Sequence, residues 1–234
     1  YKIVLFVPDL PEFMSEEHGF FDKVIKRIRS NIFQFFSKRS DGVVGLTDNI
    51  ETYLGITPSK FIRFEGVGVV ESFHEDLENL LPELPEKFFL YTGALESRYG
   101  IDVLVDWFKD DNFLPGWSLV LCGTGGLDAV ISKLAKSKPK RVVFLGQVKR
   151  NIALELQKHA DILVNPRSPI DAYTAYSFPS KTLEYMASGT PIVMHKLDGI
   201  PSEYFDYMYL PKSVTHAALK ETLLEVASLS NQSR

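Results

Sequence analysis

The chain has 234 residues, with 45% hydrophobic and 24% charged side chains, values typical of a soluble globular protein with one large or two small domains. Its formal net charge of −4 argues against a nucleic-acid-binding protein that works through bulk positive charge. No apolar run approaches the ~18 residues that a membrane span needs. The single cysteine, Cys122, excludes an intrachain disulfide, and its apolar surroundings predict a buried strand residue.

Residues 1–72 alternate between strand and helix patterns. The run "KIVLFV" is apolar throughout, as in a strand buried on both faces of a parallel sheet. A helical pattern follows from Phe20 to Lys38, then a strand, a helix that ends at Gly55, and a third strand, "KFIRFEG". The β-α-β-α-β order predicts a parallel sheet. Because the chain starts with Tyr1 inside a strand, we expect a piece of a longer protein, whose preceding segment pairs with this strand.

Residues 73–86 are the best linker candidate, because they are acidic and contain two prolines. A second strand-helix alternation follows, with strands at "KFFLYTGAL", "WSLVLCGTGG", "RVVFLGQV", "DILVNPR" and "PIVMHKL" and a last helix at "VTHAALKETLLEVASL". We therefore predict an α/β protein with a partial domain at 1–72, a linker at 73–86, a complete domain at 87–213 and a C-terminal helix at 214–234.

Ligands of open parallel sheets bind beyond the carboxyl ends of the strands. One such end carries Gly123, Gly125 and Gly126. Their spacing does not match the dinucleotide fingerprint, and the Lys-Ser/Thr pair of a P-loop is absent. Two interpretations stay open: the glycines only make a tight turn, or they let backbone amides approach an anion.

Arg98 and Lys181 are cations at neighbouring strand ends. A guanidinium at such a position can clamp phosphate oxygens bidentately, although a solvated surface arginine fits the same pattern. Two cations beside helix amides suit a diphosphate and can replace a divalent metal in stabilising a leaving group. The five histidines are scattered and show no metal-ligand spacing, so we predict no metal site.

The stretch "YSFPSKTLEYMASGTPIV" predicts a short helix with a polar start. Pro179 suits the first helical position, and Gly189 suits the C-terminal cap. We expect an apolar face that packs on the sheet, formed by Leu183, Met186 and Ala187. Glu184, in the first turn, either favours the helix dipole or accepts two hydrogen bonds from vicinal hydroxyls such as those of a ribose.

These stretches together resemble retaining glycosyltransferase family 4, which has the GT-B fold. "FPSKTLEYMASGTPIV" resembles the donor-site signature of that family, in a Ser-Phe-Pro-Ser-Lys version similar to that of exopolysaccharide and cell-wall transferases. "FLYTGALESRYGIDVLVDWF", "LVLCGTGGLDAVI", "VVFLGQV" and "HADILVNPR" resemble successive parts of its C-terminal domain. "VVGLTDNIETYLGITPSKFIRFEGV" resembles the end of its N-terminal domain. The resemblance implies a complete Rossmann-like C-terminal domain and the tail of an N-terminal Rossmann-like domain.

The resemblance also implies roles for individual residues. Glu184 would hold the donor ribose, Arg98 and Lys181 would face the diphosphate, and Gly146, Gln147 and Val148 would lie along the base. The backbone from Ser177 to Ser180 would reach the donor sugar and phosphates. The full set of implied donor-binding residues is Gly93, Arg98, Gly123, Gly125, Gly146, Gln147, Val148, Arg167, Ser177, Phe178, Pro179, Ser180, Lys181 and Glu184.

The chain departs from the family pattern at the catalytic positions. Tyr176 stands where the family often has the first Glu of its Glu-x7-Glu motif, and Asp171 is the candidate substitute. Pro8 replaces a histidine before Asp9, which is the second catalytic candidate, and Ala94 replaces a basic residue after the first glycine of the C-terminal domain.

The resemblance implies a hexosyltransferase-type enzyme of bacterial type in polysaccharide biosynthesis. It would move a sugar from a nucleotide-diphosphate sugar to a glycan or lipid-linked acceptor, with retention and without metal or cofactor. It would act in the cytoplasm, at the inner membrane surface where the acceptor is lipid-linked, and would not bind nucleic acid. This fragment alone would lack transfer activity, because most of the acceptor site lies in the missing N-terminal part.

Two other functions and one surface stay open. A non-catalytic nucleotide-sugar-binding module, or a pseudoenzyme subunit of a transferase complex, is favoured by Tyr176. A sugar-nucleotide epimerase of the same fold would need a histidine and carboxylate constellation that is not evident. The aromatic and basic helix "FFDKVIKRIRSNIFQFFSKR" carries an apolar stripe that is either core or a membrane contact surface.

Overall fold

The computed structural model describes residues 1–10, 20–68 and 83–232. The chain forms two compact units. The first contains Tyr1–Val67, Ile170–Ser180 and Leu197–Pro201, and the second contains Gly68–Pro169, Lys181–Lys196 and Ser202–Arg234. The domain boundaries proposed from the sequence stay predictions, and residues 73–82 of the expected linker lie outside the described residues.

The first unit contains a parallel three-stranded sheet in the order β1-β2-β3. Its elements are β1 (Val4–Val7), α1 (Phe20–Arg39), β2 (Gly42–Gly45), α2 (Asp48–Leu54) and β3 (Phe61–Arg63). This confirms the predicted β-α-β-α-β order. Gly55 ends α2 in the left-handed conformation, with φ of 60°. Buried apolar side chains from β1, β2, α2 and the segments after β1 and α2 form the core: Val7, Leu10, Val43, Ile50, Leu54 and Ile56.

The prediction that β1 is buried on both faces is wrong for the residues that the structure describes. Val4 is 64% exposed and Phe6 is 58% exposed. Side chains alternate between the faces of a strand, so Leu5 and Val7 pack toward the core while Val4 and Phe6 point the other way. β1 is also the edge strand of the described sheet.

The interpretation of the α1 stripe as core is likewise wrong within the described part of the chain. Phe21 is 79% exposed and Ile28 is 53% exposed. The opposite face of α1 packs instead: Ser37 is buried, and the Ser30 hydroxyl hydrogen-bonds the Tyr53 hydroxyl of α2. The helix therefore presents its apolar stripe outward from the core of this unit.

The second unit contains a parallel five-stranded sheet in the order β6-β5-β4-β7-β8. The strands are β4 (Phe88–Thr92), β5 (Ser118–Cys122), β6 (Val142–Gly146), β7 (Ile162–Asn165) and β8 (Ile192–Met194). The helices are α3 (Ile101–Lys109), α4 (Asp128–Ser137), α5 (Arg150–His159), α6 (Lys181–Ser188) and α7 (His216–Gln232). The α/β fold with parallel sheets is confirmed.

The central strands are buried along their whole length, and most of their side chains are apolar. Every residue of β4, β5 and β7 is buried, as expected for a parallel sheet covered on both faces. Phe89 packs against Phe108 and Trp117, at ring-centroid distances of 5.8 and 4.8 Å. Cys122 is buried as predicted, and burial raises the pKa of its thiol to about 12, so it stays protonated and unreactive at neutral pH.

Candidate functional site

The site is built where the strand order of the second unit reverses. The chain runs outward from β4 through β5 to β6, then returns to the other side of β4 with β7. The carboxyl ends of β4 and β7 therefore form a crevice of the kind that binds ligands in α/β sheets. Gly100, after β4, lies against β7: a Cβ atom on it would stand 2.5 Å from the Pro166 carbonyl oxygen.

Lys181, the first residue of α6, lies across the end of β4. Its Nζ atom is 3.3 Å from the Tyr91 hydroxyl and 4.8 Å from the centroid of the Tyr91 ring. Gly93 leaves the space for this ammonium group, because a Cβ atom on Gly93 would stand 1.5 Å from Nζ. Gly93 also has φ of +139°, which a residue with a side chain rarely adopts. The position of Lys181 therefore depends on the glycine at position 93.

The charge of Lys181 is only partly compensated. Burial lowers the pKa of Lys181 from 10.5 to about 8; the nearby Glu184 carboxylate opposes this shift and the Arg167 guanidinium adds to it. Arg167 follows β7 and is buried. Two cations brought this close to each other in a partly desolvated crevice would be stabilised by a bound anion.

Arg98 packs on the ring of Tyr99, which Arg167 also approaches. Its Nη2 atom donates to the Tyr99 hydroxyl at 2.8 Å, and its guanidinium carbon is 4.8 Å from the ring centroid. The guanidinium carbon of Arg167 is 5.6 Å from the same ring. The structure therefore brings Gly93, Lys181, Arg167 and Arg98 to one end of the sheet.

Glu184 lies in the first turn of α6 and pairs with a residue that the sequence did not single out. Its Oε1 atom is 3.5 Å from Nε of Arg150, the first residue of α5. The sequence did offer one signal for Arg150. It is a cation at the start of a helix, shortly after the loop Gly146–Val148 that was expected to bind the base. Within that loop Gly146 has φ of +64°, Gln147 is exposed and Val148 is half-buried.

The glycine amides of the turn after β5 donate their hydrogen bonds to other groups of the protein. The Gly125 amide donates to the Asp128 carboxylate at 2.8 Å, and the Gly126 amide donates to the Glu96 carboxylate at 2.9 Å. The Gly123 amide donates to the Gly146 carbonyl at 2.8 Å. Of the two interpretations left open by the sequence, these bonds favour a tight turn over an anion-binding loop.

Gly123 has a further packing constraint. A Cβ atom on it would stand 1.8 Å from the Gly93 carbonyl oxygen, and its φ is +134°. The turns after β4 and β5 thus touch through their backbones. Gly123 contributes to the site by letting the Gly93 turn take its position.

Two predictions about α6 are corrected. The helix begins at Lys181, so Pro179 precedes it instead of occupying its first position. Its buried residues are Thr182 and Tyr185, whereas Leu183, Met186 and Ala187 are only half-buried. The reason is a buried polar contact: the Tyr185 hydroxyl accepts a hydrogen bond from the Thr92 amide at 3.0 Å, which fixes the helix to the end of β4. Gly189 has φ of +77°, as expected at the end of the helix.

The predicted residues Ser177–Ser180 belong to the first unit. Their segment is anchored there because the side chains of Thr47 and Asn49 both donate to the Ala175 carbonyl, each at 3.0 Å. Phe178 is buried, Ser177 and Pro179 are half-buried, and Ser180 is exposed. Tyr176, which replaces the expected Glu, packs edge-on against Tyr53 at a centroid distance of 5.5 Å.

The two catalytic candidates, Asp9 and Asp171, are both exposed residues of the first unit. The Asp171 carbonyl accepts hydrogen bonds from the Thr174 amide and hydroxyl, at 2.9 and 2.7 Å, at the start of a short 3-10 turn. This gives Asp171 a local structural role, and the catalytic roles of both residues stay predictions. Among residues 1–10, 20–68 and 83–232, no three His, Cys, Asp or Glu side chains are placed to hold a metal ion.

Every helix that the structure describes is too short or too polar to cross a membrane. The fold matches solved GT-B glycosyltransferases. Sucrose-phosphate synthase from Thermosynechococcus elongatus gives a TM-score of 0.68 at 18% identity, over 97% of this chain and 59% of that one. Anabaena HepE in complex with UDP gives 0.62 at 16% identity, over 99% and 68%. WaaG, a glycosyltransferase involved in lipopolysaccharide biosynthesis, gives 0.64 at 17% identity, over 96% and 65%.

An uncharacterized glycosyltransferase of Methanocaldococcus jannaschii is 31% identical over 117 residues, which is 49% of this chain and 28% of that protein. The chain thus spans well under two thirds of the length of this curated relative. The model of the family described as glycosyl transferases group 1 matches residues 72–233. The chain belongs to this glycosyltransferase family.

Proposed function

We propose that this protein transfers a sugar from a nucleotide-diphosphate sugar to an acceptor, as a retaining family 4 enzyme of the exopolysaccharide or cell-wall type. The observation that carries the proposal is Lys181, held over Gly93 at the crevice between β4 and β7, with Arg167 within electrostatic reach. A diphosphate is the common part of all such donors, and its charge complements these cations.

The reaction needs stabilisation of the departing nucleoside diphosphate. Lys181, Arg98 and Arg167 supply positive charge where negative charge develops as the sugar–phosphate bond breaks, without a metal ion or cofactor. Glu184 accepts hydrogen bonds from the ribose hydroxyls, and Gly146–Val148 lie along the base. UDP is the first nucleotide to test, because the similar HepE of Anabaena was solved with UDP and with UDP and glucose.

The acceptor is a glycan or a lipid-linked sugar, and the protein works in the cytoplasm at a membrane surface. Helix α1 supports the membrane contact, because its outward stripe of Val24, Ile25, Ile28, Ile32 and Phe35 is 42% to 53% exposed. The same helix carries six basic residues and one acidic residue, in a chain of net charge −4. A basic amphipathic helix of this kind binds anionic bilayers.

Vesicle sedimentation tests this contact. The chain should bind vesicles containing anionic phosphatidylglycerol and not vesicles of neutral phosphatidylcholine, and Ile28→Glu should abolish the binding. Equal sedimentation of Ile28→Glu with anionic vesicles would show that α1 is not the contact. A stripe covered by another polypeptide would instead give no sedimentation of the wild-type full-length protein.

A non-catalytic nucleotide-sugar-binding module is the second candidate. Tyr176 favours it, because the position expected to hold a sugar-binding carboxylate is used for packing against Tyr53. Turnover separates the two candidates: the full-length enzyme consumes its donor in the presence of acceptor, whereas a binding module leaves the donor intact.

A thermal-shift and calorimetric screen tests the donor site itself. We expect one or more of UDP, GDP, ADP and CDP to raise the melting temperature of the chain, because a ligand of the native state stabilises it by about 2.7 kcal/mol at a hundredfold excess over Kd. The matching nucleosides without phosphates are the controls and should bind much more weakly. If no nucleoside diphosphate binds, or if Lys181→Ala and Glu184→Ala bind it as tightly as the wild type, the donor-site proposal is wrong.

A further inference from the structure

The ion pair between Arg150 and Glu184 joins two helices that pack against each other. Arg150 begins α5, directly after the strand-end loop Gly146–Lys149, and Glu184 lies in the first turn of α6. Nε of Arg150 is 3.5 Å from Oε1 of Glu184. The side chain of Glu184 is 31% exposed, so its carboxylate remains accessible to a ligand.

Glu184 also interacts electrostatically with a second cation, Lys181. It is close enough to Lys181, three residues earlier on α6, to influence its charge state. The Glu184 carboxylate therefore interacts with two cations, the exposed Arg150 and the half-buried Lys181. A carboxylate that turned fully toward Lys181 would neutralise the ammonium group and compete with a bound diphosphate.

We infer that Arg150 is a positioning residue, which holds the Glu184 carboxylate in the orientation that reads the ribose hydroxyls and keeps it from pairing with Lys181. This inference rests on the proposed function, because it assigns Arg150 to the same donor site. Arg150 acts through Glu184 and does not need to touch the reacting atoms.

Two consequences follow for a variant without the Arg150 guanidinium. Glu184 gains rotamer freedom, which ribose binding must then remove at a cost in affinity. Glu184 also turns toward Lys181, so the diphosphate competes with a carboxylate for that cation. The competition for Lys181 disappears when residue 184 is an uncharged glutamine, and the contact with Arg150 loses its charge assistance. The predicted signature is therefore coupling between positions 150 and 184 that depends on the ribose hydroxyl.

Calorimetry with UDP and 2′-deoxy-UDP measures this signature directly. The wild-type chain should bind UDP about tenfold or more tightly than 2′-deoxy-UDP, because the 2′-hydroxyl adds one hydrogen bond to a charged group. Arg150→Met should weaken UDP binding by about three- to tenfold and reduce the preference for UDP over 2′-deoxy-UDP. Arg150→Lys keeps the charge without the planar fork and should restore part of the preference. In a Glu184→Gln background, Arg150→Met should change both affinities much less than it does in the wild type.

Lys158→Met is the matched control. Lys158 lies on the same helix and pairs with Glu155 at 3.1 Å, but this pair does not involve α6. Removing either exposed pair should move the melting temperature little, since such pairs contribute about 0.2–1 kcal/mol. Only Arg150→Met should change the ribose preference.

The outcomes separate this inference from the proposed function. If the wild-type chain binds none of UDP, GDP, ADP and CDP, the proposed function fails and this inference fails with it. If the chain prefers a different base, the ribose and 2′-deoxyribose forms of that diphosphate replace the UDP pair. If the wild type binds with a ribose preference that Arg150→Met retains, the donor site stands and the role of Arg150 is overturned.

Discussion

The turns after β4 and β5 lie side by side and both contain glycine, yet their polar groups are satisfied in different ways. The β4 turn has a lysine laid over its glycine, with the Arg167 charge nearby. The β5 turn has carboxylates on its amides, from Glu96 and Asp128. An incoming phosphate meets cations at the first turn and carboxylates at the second. The charged side chains beside a glycine-rich strand end, more than the glycines themselves, therefore distinguish the two turns as candidate phosphate sites.

The largest expected effect is on stability, from Gly123→Ala. The added Cβ atom would stand 1.8 Å from the backbone oxygen of Gly93, and φ is +134°. Since backbone must move, we expect a loss of about 3 kcal/mol or more in the free energy of unfolding. Urea denaturation measures this, with Gly116→Ala as the control, because Gly116 has φ of +83° and a Cβ atom added there would meet nothing within 4 Å. Equal losses in the two variants would contradict the backbone contact.

Gly93→Ala should weaken nucleotide binding as well as stability. Its Cβ atom would meet Nζ of Lys181, the end of a flexible side chain, so Lys181 can leave the crevice while the fold survives. We expect nucleoside diphosphate affinity to fall by about thirtyfold, and the free energy of unfolding by about 1–3 kcal/mol from the strained φ. Calorimetry and urea denaturation on the same variant give both values. Unchanged affinity would mean that the position of Lys181 over Gly93 is not needed for binding.

The pH dependence of binding should follow Lys181. With its pKa lowered to about 8, Lys181 loses its proton as pH rises from 7 to 9, and diphosphate affinity should fall by up to about tenfold. Lys181→Arg should remove this dependence, since arginine stays charged. Calorimetry across this pH range checks the prediction, and a flat wild-type profile would contradict it.

Stability without ligand should change in the opposite direction. Between the folded pKa of about 8 and the unfolded value of 10.5, the unfolded chain binds more protons at Lys181 than the folded chain does. The contribution of this group to stability therefore rises with pH across that window, relative to Lys181→Met. Parallel urea denaturation of the two proteins at pH 7.5 and 10 would reveal the difference.

The smallest effect is expected for Gly126, at the far end of the β5 turn from Gly123. A Cβ atom on Gly126 would meet only the flexible end of Glu96, at 3.0 Å. Gly126→Ala should change the free energy of unfolding and the nucleotide affinity by no more than about 0.5 kcal/mol each. A large loss of affinity in this variant would assign the phosphates to the β5 turn and reverse the comparison.

The sequence predicted the fold well because its signals are local. Largely apolar runs such as those of β4 and β5 are typical of strands in a parallel sheet covered on both faces, and the helical patterns between them support this fold. Burial depends on which elements pack against each other, however, and this is why the predictions for β1 and α1 were wrong. Val4 and Ile28 are apolar, yet more than half of each side chain is exposed among the described residues.

The candidate site could be predicted in outline and not in its contacts. Sequence reasoning marked Gly93 and Lys181 separately, since each follows or begins an element, but nothing local shows that one lies over the other. Arg150 was missed because its partner, Glu184, is on another helix. Tyr185 was missed because nothing in the sequence distinguishes a tyrosine whose buried hydroxyl anchors a helix from an exposed tyrosine.

The most direct test of the central claim is the affinity of the chain for UDP and for UMP, measured by calorimetry for the wild type and for Lys181→Met. The account predicts that the wild type binds UDP more tightly, and that Lys181→Met loses most of this preference, by about tenfold or more, while its UMP affinity changes much less. A UDP preference that survives in Lys181→Met would contradict the claim that the crevice between β4 and β7 holds the diphosphate.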